Sequence, residues 1–167
     1  LSAVQSGKWV LNDKESAAWH ITNAAASFMD MSDVTGIPVE QLGFGGRLGM
    51  AFGARGHGGA LAHYEPDTRA INITKMRGGG SLGHEYFHFL DNVINEVMGQ
   101  ENVSIGSYGT RKPEALPEGS LRAAFQQLKT AMLRGNNVVV QLYDYGDREI
   151  KWAKRNMECS YGSMAHH

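Results

Sequence analysis

A chain of 167 residues is long enough for one compact domain with a real core and short for two. With 42% hydrophobic residues, 20% charged residues and a formal net charge of -1, it fits a globular protein and carries no electrostatic footprint for nucleic acid or anionic lipid. Cys159 is the single cysteine, which excludes an internal disulfide framework or cysteine-based zinc knuckle and fits a reducing compartment. No apolar run has membrane-span length and no signal-peptide layout opens the chain, so a cytoplasmic location without membrane contact is expected.

In chain order, Asp13 to Met31 reads as a helix with Ile21, Ala25 and Phe28 on one stripe, capped by Asn12 or Asp13 and ended by Gly36-Ile37-Pro38. Residues 42–59 read as turns and glycine-tolerant strands around the run Leu48-Gly49-Met50-Ala51-Phe52. Ala60 to Tyr64 and Arg69 to Thr74, joined by Glu65-Pro66-Asp67-Thr68, read as a β-hairpin. A glycine-rich loop over 76–80 leads through Ser81, a candidate N-cap, into a helix from Leu82 to Met98. Phe87, Leu90, Ile94 and Val97 recur on it at helical spacing, and Gly99 stops it. After a long loop over 100–118, Ser120 to Arg134 reads as an amphipathic helix, Val138 to Tyr143 as a short strand, and Asp147 to Glu158 as a last helix. The expected layout is α+β, one domain over 1–161 with a small sheet and packing helices, followed by a tail over 162–167.

The chemistry sits in His84-Glu85-Tyr86-Phe87-His88. On a helix, residues four apart project from one face, so two imidazoles can bind one tetrahedral Zn2+ and leave positions for a third ligand and a water. Glu85 then acts as catalytic base, taking a proton from a water whose pKa the metal lowers. Asp91, three residues after His88, stays on that stripe, either as a ligand or, more in keeping with its spacing, as the carboxylate that orients a ligand imidazole. Glu158 is the candidate third ligand, with His63, His57 and His166 as alternatives. Tyr64, Tyr143 and Tyr161 are candidate oxyanion donors. The strand Arg69 to Thr74, through Ile71, Asn72 and Ile73, is the expected edge on which an extended peptide substrate adds.

Several segments together resemble one known family. They are Ser6-Gly7-Lys8-Trp9-Val10, Met29 to Pro38, Leu48 to Gly56, Ala62-His63-Tyr64-Glu65-Pro66 and Ile71-Asn72-Ile73-Thr74-Lys75. They lead into Gly80-Ser81-Leu82-Gly83-His84-Glu85 and His88-Phe89-Leu90-Asp91-Asn92. Over roughly residues 1–95 the chain resembles the large polyvalent protein-associated domain 1 family. Its members are modules of very long proteins of phages and conjugative elements. The resemblance implies a zincin-like metallopeptidase fold, with His84 and His88 as zinc ligands and Glu85 as base. It also implies a protein or peptide substrate, a larger multi-domain parent chain, and a bacterial cytoplasm or virion as the setting. Family members carry a later helix resembling Glu-Met-Phe-Ala-Arg-Ala-Phe-Glu that would supply the third ligand. The nearest segment here, Asn156-Met157-Glu158-Cys159, departs from that pattern. If Glu158 does not substitute, the site is incomplete and the chain serves as a protein- or DNA-interaction module.

Overall fold

The computed structural model describes residues 1–55, 61–74, 81–99, 107–132, 140–143 and 149–152, from 131 onward by backbone alone. Glu158, His57, His166, Tyr161, Cys159, the glycine loop over 76–80 and the tail over 162–167 lie outside the described residues, as does the Tyr143 side chain. The described chain is mixed α and β, as expected. The described residues up to Phe89 and those from Leu90 onward group into two compact units. None of the described helices is long and apolar enough to cross a membrane.

The first unit is built on a four-stranded sheet. Its strands are β1 (Val4–Ser6), β2 (Gly49–Phe52), β3 (Ala62–Glu65) and β4 (Ala70–Ile73), in the order β1-β2-β4-β3. The first three in that order run parallel, and β3 pairs antiparallel with β4 in the expected hairpin. A short helix α1 (Lys8–Leu11) follows β1 and leads into α2 (Lys14–Thr35). Asp13 caps α2, accepting the Ser16 N–H at 3.1 Å, and Gly36 ends it in the left-handed conformation at φ 68. The predicted α2 stripe is wrong by a fraction of a turn. Ile21 is 59% exposed and Ala25 is exposed, whereas His20, Ala24 and Met31 are buried. His20 decides that rotation, because its ring packs edge-on against Trp9 and Trp19 and meets Phe52 of β2.

Helix α3 (Leu82–Met98) has the predicted bounds. Its inner face differs from the predicted one. Leu82, Tyr86, Phe89 and Val93 are wholly buried, while Phe87 and Val97 of the expected stripe stand exposed. Tyr86 anchors the helix at the Leu42 carbonyl, 3.1 Å from its hydroxyl, and packs edge-on to Phe28 of α2. Phe89 lies edge-on to Phe44 and to Tyr64 of β3 at 6.0 Å each.

In the second unit, the loop 107–110 lies against the later part of α3. Asn92 donates its side-chain amide to the Ser107 carbonyl at 2.9 Å and Asn95 donates to the Ser107 hydroxyl at 2.7 Å. Helix α4 (Ser120–Met132) buries Phe125, while Leu128, three residues on, is 49% exposed. The predicted last helix over 147–158 is replaced, in its described part, by a strand. β5 (Val140–Tyr143) and β6 (Glu149–Trp152) form an antiparallel pair. Glu149-Ile150-Lys151-Trp152 alternates polar and apolar residues, which is the period of a half-buried strand.

Candidate metal centre

Glycine at position 83 and the start of α3 at Leu82 place His84, Glu85 and His88 within the first two turns of the helix. The Nε2 atoms of His84 and His88 face each other at 3.1 Å, with the rings edge-on at a centroid distance of 4.8 Å. In the metal-free chain that contact requires one imidazole to donate its N–H to the other. That separation is close to the roughly 3.3–3.4 Å that two imidazole nitrogens take on a single tetrahedral ion with arms of about 2.0–2.1 Å. His84 and His88 thus fit zinc as two of its donors. Among the described residues no group of three His, Cys, Asp or Glu side chains forms a fuller ligand set.

Burial sets the protonation of this cluster. His88 is 5% exposed, and burial, with the neighbouring His84 charge as a lesser cause, lowers its pKa to about 4. Desolvation also lowers that of His84, which stands at the outer, exposed end of the pair. Both rings are therefore neutral near pH 7, as metal ligation requires. Glu85 is 6% exposed and burial raises its pKa to about 7, partly offset by a hydrogen bond from the Tyr64 main chain. Its Oε2 is buried with no hydrogen-bond partner among the described residues. A carboxyl poised near neutrality with one uncommitted oxygen is suited to accept and return a proton.

These shifts have a measurable consequence in the metal-free chain. The folded Glu85 stays protonated up to about 7, whereas the unfolded chain ionises from its ordinary value of 4.5 upward. The folded state therefore binds the extra proton across that window, and Glu85 lowers stability progressively as pH rises from 4.5 to 7. Glu85→Gln removes this slope. Relative to the parent chain, the variant is expected to gain stability between pH 4.5 and pH 7.5, by up to about 3 kcal/mol. Urea unfolding in the presence of a chelator at the two pH values measures it, and an unchanged difference between them contradicts the burial of Glu85. His88 slopes the other way. It loses stability as pH falls from 6.5 toward 4, because the unfolded imidazole takes up a proton that the buried one refuses.

The remaining sequence candidates fall into distinct places. Asp91 is buried, and its two oxygens meet Thr110: Oδ1 accepts the Thr110 N–H at 3.0 Å and Oδ2 accepts the Thr110 hydroxyl. His63 sits at the opposite face of β3 from Tyr64, with its Nε2 3.1 Å from Glu65 Oε1. Burial pushes Glu65 up, but hydrogen bonds from His63, Thr68 and Arg55 and the Arg55 charge outweigh it and hold the carboxylate below its ordinary range. Arg55 also reaches Gln5 of β1 at 2.9 Å, so this network braces β3 against the far side of the sheet. The Tyr64 ring is buried against Phe89, and its link to Glu85 runs through the main chain.

Ile71, Asn72 and Ile73 require a correction. They belong to β4, which is paired with β2 on one side and β3 on the other, so its main chain has no free edge for a substrate. Ile71 and Ile73 are core side chains, and Asn72, 1% exposed, accepts the Arg55 N–H at 3.3 Å. Among the described strands, the edge beside β4 is β3. Two contacts escaped the sequence altogether, the Tyr64 amide at Glu85 and Thr110 at Asp91. Main-chain donors and a partner nineteen residues away leave no local pattern to read.

No family model matches the chain, and neither does any curated protein or solved structure.

Proposed function

We propose that this chain is a zinc-dependent peptidase module, with His84 and His88 as two metal ligands and Glu85 as general acid–base. The observation that carries the proposal is the facing pair of Nε2 atoms 3.1 Å apart, with the buried Glu85 between the two histidines in sequence and its Oε2 without a partner among the described residues. Zinc, when bound, supplies Lewis acidity that lowers the pKa of water and polarises a carbonyl. His84 and His88 hold the ion through neutral nitrogens, with desolvation lowering the pKa of both and most strongly that of the buried His88. Glu85 takes a proton at Oε2 from the attacking water and passes it to the departing amine nitrogen. Among the described strands β3 is the sheet edge, where an extended peptide adds by pairing with the main-chain groups that Glu85 leaves free. The resemblance over residues 1–95 supports a peptide substrate, a zincin-like fold, and a phage or mobile-element polyvalent protein as the parent.

A second reading is a metal-stabilised module without catalysis, which needs only the facing His84 and His88 nitrogens and not the proton transfer at Glu85. Elemental analysis separates these readings from a pair of ordinary helix histidines. Purified chain dialysed against zinc is expected to hold one ion per molecule, and His88→Ala to lose it. Zinc content that ignores His88→Ala refutes the metal centre. One ion per chain without cleavage of any peptide supports the second reading.

A further inference from the structure

Strand pairing determines which main-chain groups of β3 point away from the sheet. The Thr74 N–H donates to the Leu61 carbonyl at 3.0 Å, which makes Leu61 and Thr74 a hydrogen-bonded pair. Such pairs alternate along an antiparallel ladder, so His63–Asn72 and Glu65–Ala70 are the next two. The other side of β4 agrees. There the Arg69 and Ile73 carbonyls accept from Gly49 and Gly53, leaving the even-numbered residues to face β3. Ala62 and Tyr64 consequently turn their N–H and C=O groups outward, away from β4.

An outward N–H on an edge strand ordinarily meets water. That of Tyr64 meets the Glu85 carboxylate instead. Since Oε2 has no partner among the described residues, Oε1 is the oxygen that accepts it. The Tyr64 ring packs on Phe89, one turn after Glu85 on the same face of α3. One residue of β3 thus touches the helix through its ring and through its amide.

We infer that the main-chain N–H of Tyr64 is a positioning group for Glu85, holding Oε1 so that Oε2 is the oxygen left to handle the proton. For its catalytic arm this rests on the peptidase proposal. A carboxylate on three rotatable bonds needs such a tether, because misplacement of a proton acceptor by about 1 Å costs roughly a hundredfold in rate. The sequence position of Tyr64 matters less than its register, since a shift of β3 by one residue would turn this amide into the ladder.

Amide hydrogen exchange on the metal-free full chain tests the contact without reference to activity. The Tyr64 amide is expected to exchange about ten- to a hundredfold faster in Glu85→Ala than in the parent, the range of a hydrogen bond to a charged or buried acceptor. Glu85→Gln, which keeps a carbonyl oxygen, restores protection. The amides of Ile71 and Ile73 inside the sheet stay unchanged in both. Equal Tyr64 exchange in the parent and Glu85→Ala overturns the inference, and so does faster exchange throughout β4, which marks general loosening.

The second arm replaces the residue 64 amide by an ester, with the α-hydroxy analogue of tyrosine, which deletes the donor and keeps the ring. In the zinc-loaded chain, on the peptide cleaved best from a quenched-fluorescence library, kcat is expected to fall at least tenfold with KM and zinc content unchanged. An unchanged kcat overturns the positioning role. If the parent chain cleaves no peptide, the peptidase proposal fails, and the exchange comparison alone decides whether Tyr64 holds Glu85.

Discussion

Glu85→Gln in the zinc-loaded chain is expected to lower peptide cleavage by roughly 10²–10⁴-fold, the range attributed to a positioned general acid–base group. The substitution is close to isosteric and exchanges one buried polar group for another of the same size, so neither packing nor charge changes in the form present below pH 7. What it removes is the ability to take up a proton and release it. His84 and His88 remain, with their Nε2 atoms in the same mutual position, so zinc content should stay at its parent value. Loss of turnover with retained metal is the signature of a base. Loss of both would place Glu85 in the support of the metal, and retained turnover would move the base elsewhere in the chain. The comparison is best made near pH 7 and low substrate concentration, where kcat/KM reports the free protein's ionisations.

The short-range signals carried much of this site. Two histidines four apart, a strong apolar content and a flanking Gly99 located α3 and its three chemical residues without reference to the rest of the fold. The hairpin of β3 and β4 was equally legible, since its turn residues and the alternation in Ile71-Asn72-Ile73-Thr74 are local. Sheet order was not. β4 lies beside β2, with which it pairs in parallel across a long connection, and nothing within Ala70–Ile73 records that neighbour. The strand expected to be an edge is therefore interior, and the edge passes to β3.

Helix faces failed for a different reason. Counting apolar residues on α3 selects Phe87, Leu90, Ile94 and Val97, but the buried face carries Glu85, His88, Asp91, Asn92 and Asn95 among Leu82, Tyr86, Phe89 and Val93. A helix that buries polar residues breaks the rule by which hydrophobic periodicity finds the inside. The same holds for His20 on α2, enclosed by aromatic rings where the pattern favours Ile21. The misread segment over 147–158 shows the opposite limit. A four-residue strand is too short to outweigh a helical pattern read over a longer window, although Glu149 to Trp152 alternates as a strand should.

Asp91 gives the second large effect, and its contact with Thr110 belongs to neither of its two expected roles, zinc ligand or support of a ligand imidazole. As a ligand, its removal would strip zinc and leave the fold largely intact. The structure places it elsewhere: Thr110 uses both carboxylate oxygens, with Asp91 5% and Thr110 3% exposed. The loop is fitted to that contact, since a side chain at Gly109 would come within 2.8 Å of Phe125 and 3.2 Å of Asp91 Oδ1. Asp91→Ala deletes the acceptor of two buried donors, each worth about 1–3 kcal/mol when left unpaired. A loss of about 2–5 kcal/mol in urea unfolding is therefore expected, with zinc content unchanged. Asp91→Asn keeps an oxygen for the Thr110 N–H and lets the Thr110 hydroxyl turn to accept from the new amide, so it should cost less than half as much. Thr110→Ala should fall between them, because it leaves the main-chain bond in place. A metal-free Asp91→Ala protein of parental stability would return Asp91 to the ligand set. A destabilised protein that still binds one zinc assigns the carboxylate to holding the 107–110 loop on α3.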